Sequence, residues 1–183
     1  MIIFLDLDGV IIDICKGVCD WFDLPYAPEL VTHWDSFPEL TNIDPEYFWH
    51  KLRVSKFWKD LTFYPNAISF MAKLSLYGQV VLLTSPANGC AGYRQNWIEK
   101  NLSSFFQQGH YILTPAKWAC AHKDTILIDD SSDNCKEFVA AGGRALLYPQ
   151  PWNSKNVLPE EKKNEMIIKA LKRYDNENAV RKI

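Results

Sequence analysis

Asp6 and Asp8 stand two apart in Asp6-Leu7-Asp8-Gly9-Val10, directly after the apolar run Ile2–Leu5. Carboxylates at i and i+2 point the same way only while the chain stays extended, and Gly9 permits a turn immediately after them. The pattern alone is weak, because surface turns are rich in Asp and Gly. Thr84-Ser85 follows Val80–Leu83. A hydroxyl at the end of a buried strand is well placed to hold a phosphate oxygen, although it can equally cap the next helix. Asp129-Asp130 closes Ile126-Leu127-Ile128, and Asp133 comes three residues later. Adjacent buried acids raise each other's pKa unless a cation lies between them. Three acids within five residues therefore point to a hard metal, and oxygen-only ligation points to Mg2+. Asp133 is at the same time the expected N-cap of the following helix. Lys117 is a compact cation able to reach a phosphate or an aspartate. Arg94, Lys100 and Lys123 are its rivals, and exposure is the commoner fate of a single lysine.

These residues need a scaffold that brings them to one place. Met1–Leu5, Gln79–Leu83, His110–Leu113, Thr125–Ile128 and Arg144–Tyr148 read as short buried strands. Between them lie helical patterns over Val10 to Phe22, Pro65 to Leu76, Tyr93–Leu102 and Asp133–Ala141, with a last amphipathic helix from Pro159 to Tyr174 and a frayed tail beyond. Asp44-Pro45-Glu46 has the form of a helix start, with Asp44 as N-cap and Pro45 at the first helical position. Strands alternating with helices predict an α/β fold, a Rossmann-like parallel sheet with right-handed crossovers and helices on both faces. In such sheets ligands bind at the carboxyl ends of the strands, where the polar residues above all fall.

The conjunction is more specific than any of its parts. In the order DxD, Thr/Ser, Lys and DD, over residues 6–134, it resembles the haloacid dehalogenase superfamily of phosphatases. Asp6-Leu7-Asp8-Gly9-Val10, Phe57-Trp58-Lys59-Asp60-Leu61, Leu83-Thr84-Ser85-Pro86, Trp97-Ile98-Glu99-Lys100 and Leu127-Ile128-Asp129-Asp130 further resemble the 5'(3')-deoxyribonucleotidases. The resemblance implies an Mg2+-dependent phosphatase of nucleoside monophosphates. Asp6 would be the nucleophile and Asp8 the general acid and base. Asp6, the Asp8 carbonyl and Asp130 would hold the metal with Asp129 close by. Thr84, Ser85 and Lys117 would bind phosphate. It also implies a small helical cap over residues 15–64 on a core of residues 1–14 and 65–183. Phe37 and Trp49, with Trp34 behind them, would be the rings that stack on a base.

Composition narrows the alternatives. Residues 21–64 hold 12 of the 25 aromatics, so the insert either builds a core from few large rings or lines a pocket for a flat ligand. A formal charge of −2 argues against binding a nucleic-acid polymer. No apolar run approaches the roughly 20 residues that span a bilayer, and Asp6 and Asp8 interrupt any signal-like start. Five cysteines without CxxC spacing read as reduced thiols of a cytoplasmic protein. The surplus of rings leaves a homodimer open. Competing readings are a phosphatase for another small ester such as a sugar phosphate, and a non-catalytic nucleotide-binding protein. The paired acids speak against a metal-free dehalogenase.

Overall fold

The computed structural model describes residues 1–53, 56–106, 110–153 and 158–180, without the side chains of Asp35 and residues 175–180. Strands β1 (Ile2–Leu5), β2 (Gln79–Thr84), β3 (Tyr111–Leu113), β4 (Thr125–Asp129) and β5 (Arg144–Leu147) form one sheet in the order β3-β2-β1-β4-β5. Every neighbouring pair is parallel, with Leu5 opposite Leu82 on one side and Ile128 on the other. Parallel strands cannot be joined by hairpins, so helices carry the returns. Between β1 and β2 lie α1 (Ile14–Trp21), α2 (Pro45–Arg53) and α3 (Ala67–Leu74), between β2 and β3 α4 (Ala91–Leu102), and between β4 and β5 α5 (Ser132–Ala140); a 3-10 turn lies between β3 and β4, and α6 (Glu160–Val180) follows β5.

Strand side chains alternate between the two faces of the sheet. Ile3, Leu5, Leu82, Ile126 and Ile128 join Phe70, Trp97 and Leu171 of α3, α4 and α6 in the larger apolar cluster. Phe4, Leu83 and Leu127 form the second cluster with Phe138 of α5. Both faces are thus covered, as the near-continuous apolar strands require.

The expected helix from Val10 begins only at Ile14. Gly9 takes φ +75°, and the Leu7 carbonyl accepts from the amides of Val10, Ile11 and Ile12, closing a tight turn in place of a helical ladder. Ile12 then bridges to Asp8 and Phe63. Asp13 caps α1 by accepting from the Lys16 amide at 2.9 Å. Asp44 caps α2 as expected, accepting from the Tyr47 amide at 3.0 Å. Helix α3 is shorter than the pattern suggested, because Asn66 at φ +65° delays its start. Helix α5 is capped by Ser131 and not by Asp133, whose exposed carboxylate pairs instead with Lys136 at 2.9 Å. The terminal helix continues past Tyr174 to Val180, where a frayed tail was expected; residues 181–183 lie outside the described residues.

Residues 15–64 contain α1, α2 and 3-10 helices at Pro28–Leu30, Trp34–Thr41 and Lys56–Lys59. Their buried rings Phe37, Phe48, Phe57 and Trp58 belong to the same apolar cluster as Leu5 and Ile128 of the sheet. The aromatic-rich insert therefore shares the main core.

Candidate active site

Because the strands run parallel, the residues that follow them converge at one edge. Asp6, Asp8, Thr84, Ser85, Lys117 and Asp130 all line a single cavity of about 540 Å³. The sequence order DxD, Thr-Ser, Lys, Asp-Asp becomes a spatial cluster because β2, β1 and β4 are neighbours. Lys117 opens the 3-10 turn Lys117–Cys120 after β3 and is only 2% exposed. Its ammonium lies 2.9 Å from Asp6 Oδ1 and 2.6 Å from Asp129 Oδ2. Asp129 also accepts from the Ser131 amide at 2.8 Å and from Asn134 Nδ2 at 3.2 Å, so its oxygens are satisfied from behind the cavity. Asp130 reaches the cavity and Asp129 does not. Among the described residues Thr84 Oγ1 is buried with no hydrogen-bond partner, whereas the Ser85 hydroxyl donates to the Thr114 carbonyl at 3.1 Å. A buried orphan hydroxyl facing a polar cavity is suited to an oxygen-rich ligand.

The electrostatics point to a cation. Asp6, Asp129 and Asp130 each offer an oxygen within 4.8 Å of the others. Burial pushes Asp6 up to about 7, with Lys117 opposing the rise and Asp129 and Asp8 adding to it. Burial likewise raises Asp130 well above the usual carboxylate range, and repulsion from Asp129 and Asp6 adds to it. Burial works against the Lys117 cation, but Asp6 and Asp129 beside it raise its pKa on balance. Asp8 has its own counter-ion in Arg94, whose Nη2 lies 2.5 Å from Asp8 Oδ2. Asp6, Asp8, Asp129 and Asp130 together face two cations among these described contacts, Lys117 and Arg94. The surplus of two negative charges, the all-oxygen donors and, among the described residues, the unpartnered Asp8 Oδ1 fit a hard divalent ion such as Mg2+. Asp133, the third acid of its run, stands at the cavity rim outside that cluster.

Of the three rings singled out for stacking, Trp34 lines the cavity. Phe37 is fully buried beneath it, with ring centroids 5.3 Å apart. Trp49 packs edge-on against Phe48 at 5.0 Å and is not among the cavity-lining residues. The second aromatic wall is Trp152, from the segment after β5, with its ring 5.9 Å from that of Trp34.

Residues 1–169 match the family described as 5' nucleotidase, deoxy (pyrimidine), cytosolic type C protein. The chain belongs to that family. It is a phosphoric monoester hydrolase with the haloacid dehalogenase fold, and no curated protein matches it closely enough to add a nearer relative. Among solved structures, a haloacid dehalogenase-like family hydrolase from Xanthomonas campestris is 12% identical, with a TM-score of 0.61 over 97% of this chain and 94% of that one. L-2-haloacid dehalogenase from Xanthobacter autotrophicus with covalently bound chloropropionic acid is 14% identical, with a TM-score of 0.52 over 79% of this chain and 75% of that one. A haloacid dehalogenase family enzyme from Bacteroides thetaiotaomicron, in complex with magnesium and inorganic phosphate, is 15% identical, with a TM-score of 0.47 over 81% and 94%.

Two parts of this nucleotidase-family site are not assigned by a reading of the sequence, which offers Arg94 only as a rival of Lys117 and does not single out the segment after β5. Arg94 sits in the first turn of α4, 1% exposed, with its guanidinium 5.2 Å from the Trp58 ring centre. A basic residue near a helix start has no sequence signal for burial, so only its distant partner Asp8 explains it. Gln150, Trp152 and Asn153 follow β5 in Tyr148-Pro149-Gln150-Pro151-Trp152-Asn153. Polar and aromatic side chains beside two prolines, at the carboxyl end of a parallel strand, are the signal that could have found them.

Proposed function

We propose that this hydrolase removes the phosphate of nucleoside monophosphates, through an aspartyl-phosphate on Asp6 and with Mg2+ at Asp6, Asp130 and the Asp8 carbonyl. The observation that carries it is the meeting, in one cavity, of a buried acid cluster, Lys117, an orphan Thr84 hydroxyl and the Trp34–Trp152 wall. When bound, Mg2+ would supply charge screening between the carboxylate nucleophile and a phosphate dianion.

Asp6 attacks phosphorus in line, and the bond from phosphorus to the ester oxygen breaks. Lys117, 2.9 Å from Asp6, favours the ionised nucleophile and neutralises charge gathering on the phosphoryl oxygens. Thr84 donates its free hydroxyl to one of those oxygens, and Ser85, whose hydroxyl is engaged, contributes its backbone amide. Asp8 gives its proton to the leaving alkoxide. It then takes one from the water that attacks the acyl phosphate, which restores Asp6 and releases phosphate. Arg94 grips one Asp8 oxygen and leaves Oδ1 free for this traffic. Asp129 anchors Lys117 from behind the cavity.

Residues 15–64 act as a cap on the core formed by 1–14 and 65–183, a reading supported by His33 and Trp34 reaching the cavity from that insert. Within it, Trp34 is the ring for the base, with Phe37 as its support. Trp49 covers Phe48 as a half-buried ring of the insert. Among the described residues no helix is long and apolar enough to cross a membrane, and the five free cysteines agree with the reducing cytoplasm.

The test is phosphate release from a panel of 5'- and 3'-nucleoside and deoxynucleoside monophosphates and sugar phosphates, with Mg2+ and with EDTA. Turnover that needs Mg2+ and is led by nucleotides supports the proposal. Turnover led by sugar phosphates overturns the nucleotide assignment, and turnover unaffected by EDTA overturns the metal.

A further inference from the structure

Residues Tyr148–Asn153 run along the carboxyl edge of the sheet as a strap tied at both sides. The Tyr148 hydroxyl bonds Glu160 and Asn164 of α6, the latter at 2.8 Å. Gln150 Nε2 donates to the Gly9 carbonyl, while its oxygen accepts from Lys163 at 2.8 Å. Asn153 Nδ2 donates to the Asp130 carbonyl at 2.6 Å and to that of Tyr148 at 2.8 Å. Trp152 is aimed most directly at the site, because its indole Nε1 donates to Asp130 Oδ2 at 2.6 Å.

An indole offers one donor and no acceptor. Here that donor meets a buried carboxylate of the acid cluster, a charge-assisted bond stronger than a neutral one. The ring has little freedom to move away. It packs against Trp34 at 5.9 Å and Phe37 at 5.8 Å. On another side it lies so close to Gly9 that an added Cβ there would stand 2.9 Å from Trp152 Cζ2 and 2.3 Å from Asp130 Oδ2.

We propose that Trp152 is a positioning residue for the metal site. Its N–H holds the Asp130 carboxylate by one oxygen and leaves the other for the divalent cation, while the cap rings Trp34 and Phe37 fix the indole. This rests on the reading of Asp130 as a metal ligand. Partners that orient a ligating carboxylate typically change metal affinity about 10–100-fold when removed. A purely structural ring would have no such effect once replaced by another ring.

The experiment is calorimetric titration of Mg2+ alone, without substrate, into the wild type, Trp152→Phe and Asp130→Asn. Phenylalanine keeps an aromatic ring between Trp34 and Gly9 while deleting the donor and part of the indole's volume. The expected result is Mg2+ binding by the wild type, loss of binding in Asp130→Asn, and roughly 10–100-fold weaker binding in a Trp152→Phe protein that still unfolds cooperatively without metal. If the wild type takes up no Mg2+, or Asp130→Asn binds it equally well, the metal reading itself fails. If the wild type binds and Trp152→Phe binds as tightly, Trp152 is no positioning residue and the metal reading stands. Should Trp152→Phe not fold, the assigned indole N–H resonance of Trp152 in the wild type carries the test. It must shift with Mg2+ over the same concentrations that produce the heat, and a resonance unmoved at saturation overturns the inference.

Discussion

In the proposed mechanism Asp6 must be an anion to attack phosphorus, yet its surroundings favour the acid. Burial lifts its pKa to about 7 from 3.8. Between those values the folded protein holds a proton that the unfolded chain releases. Metal-free stability therefore falls as pH rises from about 4 to about 7. Asp6→Asn removes that dependence. We expect the metal-free variant to melt above the wild type at pH 8, to show a flatter pH profile near pH 5–7, and to have no turnover. Thermal melts across this range check the first two, and a variant melting below the wild type at pH 8 refutes the argument. Arg94 illustrates the opposite case, a buried cation matched to one carboxylate. Arg94→Met leaves Asp8 without its counter-ion and is expected to cost about 3 kcal/mol in urea unfolding. Arg94→Lys keeps the charge but loses the planar fork. Its kcat should fall roughly tenfold or more with KM little changed if Asp8 serves the proton transfers as proposed and not ground-state binding.

The turn between β1 and α1 shows what an element must do for these residues. Gly9 at φ +75° reverses the chain within reach of Asp130 and Trp152. Alanine there meets both an unfavourable backbone region and the Asp130 carboxylate. Gly9→Ala should lose at least about 2 kcal/mol of stability and most of its Mg2+ affinity, measured by melting and calorimetry; near-wild-type values for both would show that the loop has room to spare. At this scale the sequence is legible where a pattern is local. Apolar β-branched runs marked the strands, Asp44-Pro45 marked the start of α2, and parallel strand order turned four scattered motifs into one edge. It is illegible where a distant partner decides. Val10–Asp13 has helical spacing, but the Leu7 carbonyl and the bridge to Phe63 claim its backbone. Ser131 takes the cap expected of Asp133 because it sits where the chain leaves β4. Trp49 and Trp34 look alike in sequence, and only the packing of Phe48 and Trp152 separates a half-buried ring on Phe48 from a cavity wall.

At the scale of the whole molecule, the insert and the sheet share one apolar cluster that runs from Phe37, Phe48 and Trp58 to Leu5 and Ile128. A cap with a core of its own could melt separately, whereas one that shares its core should unfold with the sheet. Tryptophan fluorescence weights the insert, where Trp21, Trp34, Trp49 and Trp58 lie, and far-ultraviolet circular dichroism weights the helices of the whole chain. The two signals are expected to melt in one coincident transition. Mg2+ gives the same idea a second test. A ligand that binds only the folded state at about 100 times its Kd adds about 2.7 kcal/mol. For a chain of 183 residues that is an upward shift of roughly 5–10 °C. The ion would sit at the carboxyl edge of the sheet, but in a single cooperative unit it must stabilise the insert equally, so both signals should move together. Fluorescence that melts early and ignores Mg2+, while circular dichroism shifts, would mean that the insert opens independently of the acid cluster beneath it. In that case the contacts among Trp34, Phe37 and Trp152 would be too weak to join cap and core.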